Sequence, residues 1–238
     1  MASLSHATGC RASLIIPVLN EIATVEAALK RLQCYRRCGF QVIVVDGGSD
    51  DGSDRIAQRY SDCCLSVAAG RGRQMNAGAA VAESPWLFFL HIDTQLPTDP
   101  APFLAMLESL RLSPQSGATP WGYCHLRLDG SEWIYRVIAW AINARSRLSG
   151  TATGDQLLFC RSDFFGCHGG FSELPLMEDV EICRRWRSVC WPQRLPLTVE
   201  SSARRWRQQG VVTTVLLMWS LRLAYFFGVN PQRLSRWY

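Results

Sequence analysis

Lysine is almost missing from this 238-residue chain. Lys30 is the only one, so 24 of the 25 lysine and arginine side chains are arginine. A phosphate site built on lysine therefore has one candidate, whereas arginine's planar fork suits two-point grip on phosphate or carboxylate. The ten cysteines include no CxxC pair. Cys34 with Cys38, and Cys167 with His168, are the nearest approach to metal spacing, and reduced thiols packed as small apolar groups are expected instead. Residues 1–12 lack an apolar h-region, so no secretory signal is expected. There are no internal repeats and no low-complexity linker, which points to one domain. The longest apolar stretch, 211–227, is interrupted by Arg222, and an arginine at mid-bilayer is costly. That stretch reads as a core or docking helix, or as an interfacial membrane helix.

What is present describes a globular chain. It is 48% hydrophobic and 19% charged, with a net charge of +5, and its length suffices for one sizeable core. Between Arg184 and Arg207 lie seven arginines and one acid, Glu200. This is either a solvated basic face or a surface for an anionic ligand or membrane.

Strand and helix alternate from residue 13 to residue 90. Apolar runs at 13–18, 41–45 and 86–90 read as strands buried on both faces, with a weaker strand at 65–68. Between them, Ile22, Val25, Leu29 and Leu32 recur at helical spacing behind Asn20, a candidate cap, and Gly39 ends the run. A helix over 54–60 and an Ala-rich helix reaching about residue 82 complete the pattern. The expectation is an α/β fold with a mostly parallel twisted sheet flanked by helices. Beyond residue 98 the signals are a helix at 102–110, a Pro-Ser-Gly-rich loop and an edge strand at 123–128. An amphipathic helix follows at 132–142, then a strand at 156–160, a charged helix at 178–189 and the C-terminal apolar helix.

Four places carry polar chemistry. The strand at 86–90 releases His91 and Asp93 at its C-terminal end, where open α/β sheets bind ligands. A carboxylate there suits Mg²⁺ or Mn²⁺, and the imidazole favours Mn²⁺. The second strand runs into a Gly-rich loop holding Asp46, Asp50, Asp51 and Asp54, able to accept hydrogen bonds from a base or ribose. Gly70-Arg-Gly-Arg73 precedes a helix N-terminus, a combination suited to a diphosphate. Glu178 and Asp179 open a helix behind Pro175, and Asp179 is a candidate general base, although acids in a first turn are also ordinary dipole partners.

Together these segments resemble the inverting, GT-A-type family-two glycosyltransferases. The likeness rests on Pro17, Asn20 and Glu21, on the 44–53 loop, on Arg73, Asn76 and Gly78, on the motif around Asp93, and on Glu178-Asp179. It covers roughly residues 13–187. The wording of 90–97, 154–156, 175–181 and 202–206 is similar to a bacterial subgroup labelled arsenosugar-biosynthesis glycosyltransferase. The resemblance implies that Pro17, Glu21 and Asp46 hold the nucleoside with Arg73 near the phosphates, and Asn20, Asp51 and Asn76 are counted with them as nucleotide-sugar-binding residues. It makes Asp93, with His91, the metal site and Asp179 the base. Two departures stand out: Gly47 replaces a second acid found in many relatives, and His91-x-Asp93 replaces Asp-x-Asp.

The expected enzyme moves a sugar from a nucleoside-diphosphate donor to an acceptor hydroxyl with Mg²⁺ or Mn²⁺. Residues 13–97 form the nucleotide-binding half, 98–200 the acceptor half and 201–238 a helical appendage. Asp155, Gln156, Glu178, Arg205 and Trp206 are assigned to the acceptor side. The expected setting is cytoplasmic at the inner membrane face, with peripheral membrane contact and no nucleic acid. Two alternatives remain. Residues 68–75 resemble the glycine-rich loop of nucleotidyltransferases, and His91 admits a non-catalytic nucleotide-binding or membrane-docking protein.

Overall fold

A computed structural model describes residues 10–112, 119–235 and 237. The stretch before residue 10 and most of the Pro-Ser-Gly-rich loop lie outside the described residues.

Four parallel strands carry the first half: β1 (Ala12–Val18), β2 (Phe40–Asp46), β3 (Cys63–Ser66) and β4 (Trp86–Phe89). They lie in the order β3-β2-β1-β4, and the second half extends the same sheet as β7-β6-β8-β5. Those strands are β5 (Thr94–Gln95), β6 (Trp121–Leu128), β7 (Leu158–Arg161) and β8 (Gln193–Ser201). β7 is antiparallel to both β4 and β6, β6 runs parallel to β8, and β5 closes antiparallel on β8. The eight-stranded, helix-flanked α/β sheet is the architecture expected.

Burial on both faces explains the apolar runs. Leu14 and Ile16 of β1, with Phe88 of β4, pack into one layer, while Ile15, Leu87 and Phe89 pack into the other. Helices cover both layers: α1 (Ile22–Arg31), α2 (Gln33–Arg37), α3 (Ser53–Tyr60), α4 (Arg71–Ala80), α5 (Ala101–Leu112) and α6 (Trp133–Ser149). The later ones are α7 (Ser162–Cys167), α8 (Glu178–Arg187), α9 (Arg204–Gln209), α10 (Val211–Phe226) and α11 (Pro231–Leu234). α10 is the expected C-terminal apolar helix. Among the described residues, no helix is long and apolar enough to cross a membrane.

Several local expectations change. The run behind Asn20 is two helices, α1 and α2, ending at Gly39 with φ +87°. Asn20 does not cap α1, because its own backbone is left-handed at φ 53°. The Asp51 carboxylate, from the next loop, accepts the Ile22 N–H at 2.9 Å instead. The Gly70–Arg73 turn is the start of a helix, with Gly70 as its N-cap. The alternation of buried Leu195, Leu197 and Val199 makes β8 a half-buried strand within the arginine-rich region. Its register against β6 shifts between Cys124 and His125, beside Pro196, which has no N–H to give the ladder.

Candidate functional site

The C-terminal ends of β1 and β2 are tied together first. Buried Gln74 of α4 donates its amide to the Val18 and Val45 carbonyls at 2.9 and 2.8 Å. The loops beyond are stitched by the Asn20 N–H to Ser49 Oγ, the Asp50 N–H to Asn20 Oδ1 and the Glu21 N–H to Ser53 Oγ. Asp46 is buried and accepts from the Gly48 and Ser49 N–H groups and the Ser49 hydroxyl. Pro17, Asn20, Glu21, Asp46 and Asp51 thus gather at one sheet rim, with Asp46 and Asp51 shaping the loops. Asn76 exchanges a pair of hydrogen bonds, both 2.8 Å, with the Phe171 backbone. Arg73 pairs with Glu173 at 2.6 Å on the surface.

The densest polar chemistry lies a few residues along the same rim. His91 Nδ1 sits 3.2 Å from Asp155 Oδ1. Ligand atoms of His91, Asp93 and Asp155 all lie within 4.8 Å of one another. One imidazole and two carboxylates form a donor set that fits a divalent cation, with Mn²⁺ favoured over Mg²⁺ by the nitrogen. The placement of Asp155 beside this pair could not be read from the sequence, since 62 positions separate it from Asp93 and a 3₁₀ turn (Gly154–Gln156) delivers it.

The electrostatics match a cluster waiting for positive charge. Burial pushes the Asp93 carboxyl above its usual range, and the Asp155 charge adds to this. Burial pulls His91 down, but its bond to Asp155 and the charges of Asp155 and Asp93 leave it raised. Burial raises Asp155 too, yet the His91 bond, with the charges of His91, Arg71 and Arg205, holds it low. Glu178 is raised by burial and then by Asp179.

His91, Asp93 and Asp155 open into a cavity of about 370 Å³ together with Glu178, Asp179, Arg71, Arg205 and Trp206. Met177 delivers the two acids: its backbone is left-handed at φ 69°, and its side chain is buried against Leu221 and Leu234. A bulky residue held there stores strain that the packing must offset. Asp179 Oδ2 accepts the Gly154 N–H at 3.0 Å, which fixes the candidate base against the turn carrying Asp155. Gln156 is fully buried below, accepting from Ser146 of α6 at 2.7 Å and from the Thr153 N–H at 3.2 Å. Its position is that of a strut beneath the cavity.

Of the five arginines that line the cavity, only Arg205 was assigned to the site from the sequence. Arg71 lines the cavity, with Nη1 3.9 Å from Glu178, while Arg73 turns away. Two residues on a helix are about 200° apart, so only one of the pair can face inward. Arg145 of α6 and Arg222 of α10 line the same cavity. For Arg222 the signal was its presence in an apolar helix; for Arg145 there was none.

Known proteins agree with this architecture. The mannosyltransferase PcManGT from Pyrobaculum calidifontis, solved with GDP-Man and Mn²⁺, superposes with a TM-score of 0.62 at 16% identity. That likeness covers 90% of this chain and 61% of the other. Glucosyl-3-phosphoglycerate synthase from Mycobacterium tuberculosis, solved with Mn²⁺, UDP and glucosyl-3-phosphoglycerate, gives 0.53 at 16% identity, over 80% of this chain and 70% of that one. In sequence, glycosyltransferase AglD of Haloferax volcanii is 27% identical over 197 residues. The match covers 74% of this chain, which spans only 29% of the length of AglD. Residues 13–136 match glycosyl transferase family 2, and the chain belongs to that family.

Proposed function

We propose that this protein is a metal-dependent, inverting glycosyltransferase that uses a nucleoside-diphosphate sugar and an acceptor hydroxyl. The observation that carries the reading is the convergence of the His91, Asp93 and Asp155 cluster with Asp179 on one cavity, the two joined through Gly154. Asp179 takes the acceptor proton as the acceptor oxygen forms its bond to the anomeric carbon. The bond from that carbon to the diphosphate oxygen breaks from the opposite face, and the electron pair leaves with the nucleoside diphosphate. Asp93, His91 and Asp155 are the residues that would hold a divalent cation, whose charge would stabilise a departing diphosphate. Arg71 and Arg205 line the same cavity, each close enough to act on Asp155. The subgroup likeness supports the reading as well, because 90–97, 154–156, 175–181 and 202–206 each contribute residues to the cavity.

Peripheral membrane docking belongs to the same proposal. On α10, Val212, Leu216, Trp219, Leu223 and Phe226 are exposed at helical spacing, and α6 exposes Trp133, Val137 and Trp140. Aromatic and aliphatic side chains beside arginines such as Arg204 suit a membrane interface.

The test is a thermal-shift panel of nucleoside diphosphates and their sugars with and without Mn²⁺, because a ligand that binds only the folded state raises Tm by mass action. A nucleotide-sugar that stabilises the protein in a Mn²⁺-dependent way is then assayed for nucleoside diphosphate release. Failure of every nucleotide to stabilise the protein, with or without metal, would sink the reading; release of pyrophosphate would point to nucleotidyl transfer.

A further inference from the structure

Among the described residues, two arginines in the cavity wall form no salt bridge. Arg145 gives one hydrogen bond, from Nη2 to Ser146 Oγ at 3.1 Å, and its Nε is buried without any acceptor. Arg222 forms no ion pair with any described residue, although it sits on α10 among apolar neighbours. Burial lowers both, Arg145 to about 10 with a further push from Arg222. A half-buried guanidinium costs free energy unless it is paired. Asp179 and Asp155 lie within the electrostatic reach of both, but neither forms a salt bridge with them.

The cavity's charge balance points the same way. Its lining holds five arginines against four carboxylates. A divalent cation on the Asp93 cluster takes the excess to about three positive charges, and a nucleotide-sugar diphosphate cancels about two. The charge left over lies with Arg145 of α6 and Arg222 of α10, both within electrostatic reach of the candidate base Asp179.

We propose that Arg145 and Arg222 form an anion subsite for the acceptor, so that the attacked substrate carries a phosphate or carboxylate near its reacting hydroxyl. This rests on the glycosyltransferase reading and names its acceptor class. Paired guanidinium groups recognise such an anion by two-point hydrogen bonding, and they hold the acceptor with its hydroxyl toward Asp179. A soluble phosphate ester and a lipid headgroup share this chemistry.

Inorganic phosphate and glycerol 3-phosphate serve as probes, titrated calorimetrically into the full chain with Mn²⁺, first without nucleotide and then with a saturating nucleoside diphosphate. The expected result is binding that persists beside the nucleotide and weakens at least tenfold in Arg145→Gln and in Arg222→Gln. Arg222→Lys keeps the charge and retains more of the affinity, and thermal melts certify that each variant is folded. Nucleotide affinity stays within about twofold of the parent. Phosphate binding unchanged by the substitutions, or a nucleotide affinity that falls with it, would overturn the subsite; the latter outcome assigns both arginines to the donor diphosphate. Neutral vesicles with and without phosphatidic acid form a second arm. Arginine-dependent binding to the acidic vesicles alone identifies a lipid-borne anion, and binding of glycerol 3-phosphate identifies a soluble one. If no nucleotide binds, the glycosyltransferase reading fails, while the nucleotide-free titration still reports on the subsite.

Discussion

The His91 ring lies across Gly154 with no room for a side chain between them. A Cβ on residue 154 would stand 2.1 Å from His91 Cε1 and 2.2 Å from Nε2. The same glycine gives its N–H to Asp179. One residue without a side chain therefore sets the distance between the candidate metal ligand and the candidate base.

Gly154→Ala tests that relationship. The added methyl group forces the His91 ring away from Asp155, and the affinity for Mn²⁺ should fall by about 10- to 100-fold, as when an orienting partner of a ligand is lost. Metal titration followed by Tm reads this directly. In Gly154→Ala/His91→Ala the clash is gone, so its metal affinity should be no weaker than in His91→Ala alone.

Asp179→Asn keeps an oxygen that accepts the Gly154 N–H but cannot take a proton. Turnover on an accepted substrate should drop by about 10²- to 10⁴-fold, with nucleotide affinity nearly unchanged. Normal turnover would pass the role of base to another group, and buried Glu178 is the nearest alternative in the chain.

Asp93→Asn separates metal binding from folding. The Asp93 carboxyl is raised in the folded protein by burial and by Asp155. A raised carboxyl contributes stability only below its unfolded value and loses it as pH rises through the folded value, so at pH 7 the ionised group is a cost. The metal-free variant should therefore melt no lower than the parent at pH 7, and the Mn²⁺-induced rise in Tm should disappear. In the parent, that rise should shrink as pH falls, because protons on Asp93 compete with the cation from a higher pH than at an ordinary aspartate.

Gln74→Leu probes the clamp between β1 and β2. It removes the donor that serves the Val18 and Val45 carbonyls. Val18 O keeps the Gly47 N–H at 2.8 Å, so that carbonyl is not left bare. A cost of about 1–3 kcal/mol is expected, read as a lower urea midpoint with an unchanged m-value.

Trp140→Ser and Trp219→Ser address the exposed aromatic face. Co-sedimentation of the parent with anionic vesicles at low salt, released at high salt and weakened by either change, is the expected result. No binding at low salt would leave that face without a membrane role.

Local pattern was enough for the first half of the sheet. The runs at 14–18, 42–45 and 86–90 are apolar at every position because both faces of those strands are buried, and that needs no knowledge of the partners. His91 and Asp93 were legible for a related reason: they follow a buried strand directly, so the chain itself sets them at the sheet rim. β8 was less legible, because Pro196 interrupts the strand signal within the two-residue alternation of Leu195, Leu197 and Val199.

Residue type and position alone determined an α/β chain with Asp93 at a strand end and Asp179 at a helix start. Only the tertiary structure decided which side chains face each other. Asp155 joins His91 through a 3₁₀ turn, Arg71 rather than Arg73 turns inward, and Arg145 and Arg222 meet the cavity from helices remote in sequence. Such meetings depend on how helices pack across the sheet, a long-range outcome that no local periodicity encodes.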